Sequence, residues 1–240
     1  MTEHTVTAFE QELQDLTRSL ANMGGMAEKA ITDAISALNR RDLELAHNVI
    51  KEDDKIDILQ REVEQNAVLI IAKRQPMAQD LREIVGALRI SNDLERIGDL
   101  AKNIGKRVVA MSNDLFPQKL LVGLEHLSQL ALMQLKNVLD AYTQKNSVMA
   151  ISVWNRDGGI DQVYTSLFRE LLTYMMEDPR NITPCTHLLF TAKNLERIGD
   201  HATNIAETVC YMTTGEVLQD TRPKDDGTTN APVVPFIKKG

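Results

Sequence analysis

Glu95 and Asp99 stand four residues apart in the run Leu94-Glu95-Arg96-Ile97-Gly98-Asp99, and the same six residues return unchanged as Leu195-Glu196-Arg197-Ile198-Gly199-Asp200. Two further acid pairs share the spacing, Asp53 with Asp57 and Asp157 with Asp161. A step of four is close to one helical turn, so each pair leaves one face of a helix. Carboxylates held side by side repel; they respond by holding protons more tightly or by recruiting cations. An all-oxygen donor set suits hard ions. The chemistry expected of these eight acids is therefore the binding of Mg²⁺, Mn²⁺ or iron, in preference to zinc or copper.

Such chemistry requires the pairs to meet, and an internal repeat supplies the plan. The hexamers are offset by 101 residues, and the match runs on from Ala101, Asn103 and Ile104 to Ala202, Asn204 and Ile205. The Asp pairs are offset by 104. Apolar residues recur at three-to-four spacing along most of the chain, beginning with Phe9, Leu13, Leu16 and Leu20. The pattern predicts six long helices over 6–39, 43–74, 78–112, 118–144, 148–177 and 183–213. Asp42 is placed to cap the second, and Gln75-Pro76 closes it, because a residue before proline is pushed out of the helical region. Asp178-Pro179 closes the fifth, and Thr183-Pro184 opens the sixth. Gly24 and Gly25 interrupt the first helix and predict a close contact or a bend there.

In an antiparallel hairpin, residues equidistant from the turn lie level with each other. Positions 53, 57, 95 and 99 average to 76, which is Pro76; positions 157, 161, 196 and 200 average to 178.5, at Asp178-Pro179. Both sets of four acids are thus expected to come level across their hairpins. The fold expected is all-α: two tandem antiparallel three-helix bundles related by the repeat, over residues 1–114 and 115–214, with the break at 113–117. Residues 215–240 hold three of the seven prolines and read as a disordered tail.

Composition agrees with this plan. Hydrophobic residues make up 43% and aromatics only 4%, with Leu, Ala, Ile, Met, Glu and Lys prominent. The net charge of −7 argues against nucleic acid as a partner and is compatible with cation binding. Cys185 and Cys210 form no close-spaced metal pair and read as reduced thiols of a cytosolic protein. Residues 1–14 are polar and acidic, unlike a signal peptide. No apolar run approaches the ~20 residues that span a bilayer, so a cytoplasmic location is expected.

Other residues enter as helpers. Asn103, Asn204 and Glu207 lie where they would extend the acid sets, and Arg96 and Arg197 adjoin the glutamates as orienting partners. Gly98 and Gly199 are repeated helix-weakening residues that need a packing reason. Glu44-Leu45-Ala46-His47 matches a Glu-x-x-His metal element but is not repeated, and His201 has Leu100 as its counterpart; both are set aside. Trp154 and the ten methionines read as packing.

The duplicated hexamer with its trailing Ala-x-Asn-Ile resembles the PhoU family, accessory regulators of the phosphate-specific transport system. Ala72-Lys73-Arg74-Gln75-Pro76 with Asp80-Leu81-Arg82, Tyr174-Met175-Met176-Glu177-Asp178, and Asp200-His201-Ala202-Thr203-Asn204-Ile205-Ala206-Glu207 fit as well. The resemblance covers residues 9–214. It implies a cytoplasmic, non-enzymatic protein, often dimeric, that binds metal through Glu95-Asp99 and Glu196-Asp200 with Asp53-Asp57 and Asp157-Asp161 opposite. It also implies restraint of phosphate uptake and of phosphate-starvation signalling, through contact with the transporter's ATPase and a membrane sensor histidine kinase. Membrane contact would come only through those partners. Gly158-Gly159, where the first half has Asp54-Lys55, departs from the repeat. Two rivals stand beside this reading: a carboxylate-bridged metal enzyme (phosphohydrolase or oxidase) and a purely structural helical scaffold.

Overall fold

The computed structural model describes residues 2–112 and 118–218, with side chains from residue 7 onward and without that of Asp157. Among these residues the regular elements are all helical: α1 (Thr2–Arg40), α2 (Leu43–Arg74), α3 (Ala78–Ala110), α4 (Lys119–Thr143), α5 (Ser147–Trp154), α6 (Asp157–Glu177) and α7 (Ile182–Thr214). A single 3₁₀ turn, Pro179–Asn181, joins α6 to α7. Helix ends follow local chemistry. The Asp42 side chain accepts from the Leu45 N–H at 2.9 Å, and Asn146 accepts from Met149 N–H at 3.1 Å. Gln75 closes α2 in the left-handed region at φ 50°, directly before Pro76.

The six-rod plan is present, with one change. The fifth rod, expected unbroken over 148–177, is divided at Asn155 and Arg156 into α5 and α6. There the Arg156 N–H reaches back three residues to Val153 O, and Gly159 N–H likewise to Arg156 O, so the helix tightens and restarts. The adjacent Gly158-Gly159 pair weakens helical continuation by roughly 1 kcal/mol per glycine relative to alanine. Apolar periodicity runs through the break undisturbed, which is why spacing alone misses it. A cleft of about 470 Å³ opens beside it, walled by Leu130, Met133, Val153 and Ile160.

Gly24 and Gly25, by contrast, leave α1 unbroken. A β-carbon at Gly24 would lie 2.6 Å from Leu139 Cδ1 of α4, so this glycine serves a close approach between the halves. The expected break at 113–117 and residues 219–240 of the expected tail lie outside the described residues; Leu218 still packs against the core.

α1, α2 and α3 pack on one another, as do α4, the α5–α6 rod and α7. The halves join through α3 and α7, which run antiparallel. Gly86 near the start of α3 meets Met212 near the end of α7, and the Arg107 guanidinium lies 4.5 Å from the Phe190 ring at the opposite end. Ile84, Ile90, Leu94, Ile97 and Ile104 of α3 and Leu188, Leu195, Ile198, Ala202 and Ile205 of α7 belong to one continuous buried core. Each leucine or isoleucine among them contributes about 1.5–3 kcal/mol on burial. Among the described residues no helix is long and apolar enough to cross a membrane.

Candidate functional site

The first station forms where α2 crosses α3. Ile56 and Ile97 are buried, which turns Asp53 and Asp57 of α2 towards Glu95 and Asp99 of α3. Gly98 makes the approach possible: a β-carbon there would lie 2.9 Å from Ile56 Cδ1 and 3.0 Å from Asp53 Oδ1. Asp53 is 3% exposed. Its Oδ2 accepts a hydrogen bond from Lys102 Nζ at 2.6 Å, and the same ammonium lies 3.5 Å from Asp99 Oδ1. Arg96 reaches both acids of its own helix, 3.5 Å from Glu95 Oε2 and 3.5 Å from Asp99 Oδ2.

The charges of Asp57 and Asp99 act on Asp53 and Glu95 at the helix crossing. Burial pushes the Asp53 carboxyl above its usual value. The Lys102 hydrogen bond opposes the rise, and the charges of Asp57 and Asp99 add to it. Burial likewise raises Glu95, resisted by Arg96 and assisted by Asp99, Asp57 and Asp53. Asp53 Oδ1 and Glu95 Oε2 are buried without a hydrogen-bond donor.

The second station lies between α6 and α7. Asp161 and Glu196 are each 3% exposed. Glu196 Oε1 accepts from Lys193 Nζ at 2.8 Å, while Glu196 Oε2 is buried without a donor. Lys193 Nζ also sits 5.0 Å from the Tyr164 ring. Burial raises Glu196; Lys193 opposes this, and Asp200 and Asp161 reinforce it. Gly199 repeats the role of Gly98, with Ile160 Cδ1 2.7 Å from where its β-carbon would be. Asp157, expected to complete this set, heads α6, but its side chain lies outside the described residues.

Sequence spacing missed the lysines. Lys102 follows Asp99 by three and Lys193 precedes Glu196 by three, a signal for local ion pairing. Their repeat counterparts are Thr203 and Asn92, so comparing the halves hides both. The proposed helpers scatter. Asn103 is exposed, and Asn204 donates to Asp93 at 3.4 Å. Glu207 accepts from Trp154 Nε1 at 3.0 Å. His201 Nδ1 lies 2.9 Å from Asp93 Oδ1, across the α3–α7 seam and away from the acids. Cys185 and Cys210 are buried free thiols, both pushed up by burial.

The donors present fit a hard cation: every group is a carboxylate oxygen, and each station holds a buried oxygen that lacks a donor. Among the described residues no three Asp, Glu, His or Cys side chains converge on a point that would hold a metal ion. In each half a lysine ammonium stands against the acids instead.

Comparison with known proteins places this architecture. The PhoU domain model matches twice, over residues 20–108 and 124–209. The phosphate-specific transport system accessory protein PhoU homolog of Rhizobium meliloti (strain 1021) is 59% identical, over 94% of this chain and 95% of that protein. The homolog of the same name from Caulobacter vibrioides (strain NA1000 / CB15N) is 53% identical, over 94% of this chain and 98% of that protein. The crystal structure of PhoU from Pseudomonas aeruginosa superposes with a TM-score of 0.83 at 38% identity, covering 87% of this chain and 100% of that one. That of the phosphate transport system regulatory protein PhoU from Streptococcus pneumoniae gives 0.80 at 31%, covering 88% and 99%.

Proposed function

This chain belongs to the PhoU family, and on that premise we propose that it is an accessory adaptor of phosphate-specific transport that restrains phosphate uptake and phosphate-starvation signalling. The observation that carries this reading is the match of both halves to the PhoU domain, with relatives aligned over nearly their whole length. In this reading the protein works in the cytoplasm as a homodimer. It links the transporter's ATPase to a phosphate-sensing histidine kinase and meets the membrane only through them.

The acidic stations are the metal sites of the reading. Asp53, Asp57, Glu95 and Asp99 hold an ion in the first half, and Asp157, Asp161, Glu196 and Asp200 hold one in the second. A bound Mg²⁺, Mn²⁺ or iron ion supplies positive charge to carboxylates that burial has deprived of water. Arg96 steadies Glu95 and Asp99 from the flank.

Lys102 and Lys193 favour a second reading, in which the stations are self-neutralised struts and the protein acts through its surface alone. Deletion of the gene tests the adaptor role: phosphate uptake and starvation-gene expression rise in phosphate-rich medium, and unchanged regulation refutes it. Complementation with Glu95→Ala plus Asp99→Ala, read beside elemental analysis of the purified protein, separates the two readings. Loss of both metal and regulation supports the ion sites; full regulation without metal supports the struts.

A further inference from the structure

We propose that Lys102 is a tethered counter-cation that competes with metal for the first station, so that loading this station expels its ammonium. The inference rests on the metal reading above and adds to it what the empty and loaded forms exchange. A divalent ion held by Asp53 and Asp99 sits about 2.0–2.6 Å from the coordinating oxygens. Lys102 Nζ already lies 2.6 Å from Asp53 Oδ2 and 3.5 Å from Asp99 Oδ1. The two cations claim the same volume and repel each other, so occupancy is exclusive.

The Lys102 side chain is 22% exposed, and its flexible four-carbon stem gives the ammonium a route outward. The lysine leaves part of the site unserved: Asp53 Oδ1 is buried with no donor although Asp53 itself is 3% exposed. One ammonium thus satisfies one oxygen of a carboxylate that a metal ion would engage without leaving its charge uncompensated.

The device is specific to the first half. Its counterpart, Thr203, turns inward, donating from Oγ1 to Gly199 O at 3.1 Å and accepting from Gln134 Nε2 at 2.8 Å. Lys193 serves the second station from the other side of its glutamate, and its side chain is 39% exposed. The two stations therefore load against unequal opposition, and Lys102 sets the threshold of the first.

Calorimetric titration of the full-length protein with Mn²⁺ alone provides the test. Lys102→Met removes the ammonium, Lys102→Gln removes the charge but keeps a donor for Asp53, and Lys102→Arg keeps the charge. Met and Gln variants are expected to bind Mn²⁺ at one class of sites on the order of tenfold more tightly than wild type, with the Arg variant close to wild type. Lys102 of the wild type is expected to react faster with an amine-acylating reagent once Mn²⁺ is present, read by peptide mass spectrometry. Wild-type affinity in both the folded Gln and Met variants overturns the proposal, as does labelling that is unchanged or slowed by Mn²⁺. Absence of Mn²⁺ uptake by wild type and all variants overturns the metal reading, and the proposal with it. Uptake by the Gln and Met variants alone supports the proposal in its strongest form.

Discussion

Replacing Gly98 by alanine tests whether the α2–α3 crossing is as close as the first station demands. Alanine gains about 1 kcal/mol over glycine within a helix. At this position the new methyl meets Ile56 Cδ1 at 2.9 Å and Asp53 Oδ1 at 3.0 Å. Ile56 is 2% exposed and the Asp53 carboxylate is held by Lys102, so neither retreats freely. Overpacking of a filled site costs about 1–3 kcal/mol, which leaves the variant about 0–2 kcal/mol less stable than wild type. Gly25 provides the reference within the same protein: it is exposed, lies inside α1, and nothing stands within 4 Å of its absent β-carbon. Gly25→Ala therefore keeps the full gain of about 1 kcal/mol. The two variants should differ by about 1–3 kcal/mol, or roughly 2–12 °C in Tm for a chain of this size. Circular-dichroism melts and urea titrations in chelator measure both. A Gly98→Ala protein as stable as Gly25→Ala refutes the close crossing and, with it, the placement of Asp53 against α3.

Two further outcomes follow from the second station and the seam. Glu196→Gln should raise Tm by about 2–4 °C at pH 7 in chelated protein, because it removes a buried charge while leaving Lys193 an amide oxygen to bind. Burial raises Glu196 in the folded state, so the native form gains stability as pH falls through that raised value towards the ordinary glutamate range; the advantage of the variant should shrink over the same window, and an advantage that grows on acidification contradicts the assignment. Asp93→Asn should lower Tm by a few degrees through the weakened contact with His201, about 0.5–1.5 kcal/mol. It should leave Mn²⁺ binding unchanged, since Asp93 belongs to the seam; altered Mn²⁺ affinity would place it in the station instead.

Much of this was legible in the residues. Helical register around Pro76 and Asp178-Pro179 brought Asp53, Asp57, Glu95 and Asp99 to one level, and Asp161 to Glu196 and Asp200, because a hairpin of regular helices makes distance from the turn a coordinate. Gly98 and Gly199 were recognisable as contact positions because a helix-weakening residue that recurs in both halves needs a packing reason. Three things were hidden. The break at Asn155-Arg156 leaves apolar spacing intact, so periodicity carries no trace of it. Lys102 announces its local partner, Asp99, by spacing, but its stronger partner is Asp53, on another helix. Asn204 and His201 face Asp93 of α3, a contact fixed by how the two halves dock, which the repeat does not specify, and Glu207 is taken by Trp154 of α5 within its own half.

The antiparallel seating of α3 against α7 makes the chain an isologous dimer closed within one polypeptide. Two copies of one helix, run in opposite directions across a shared face, are related as the subunits of a two-fold assembly are. Any contact between residues i and j then has a mirror contact, and most of this seam is apolar enough to serve both directions equally. The Asp93–His201 bond is an exception. Its mirror positions are Asn194 and Leu100, which cannot form the same charged hydrogen bond. Polar pairs of this kind give a nearly palindromic interface a direction.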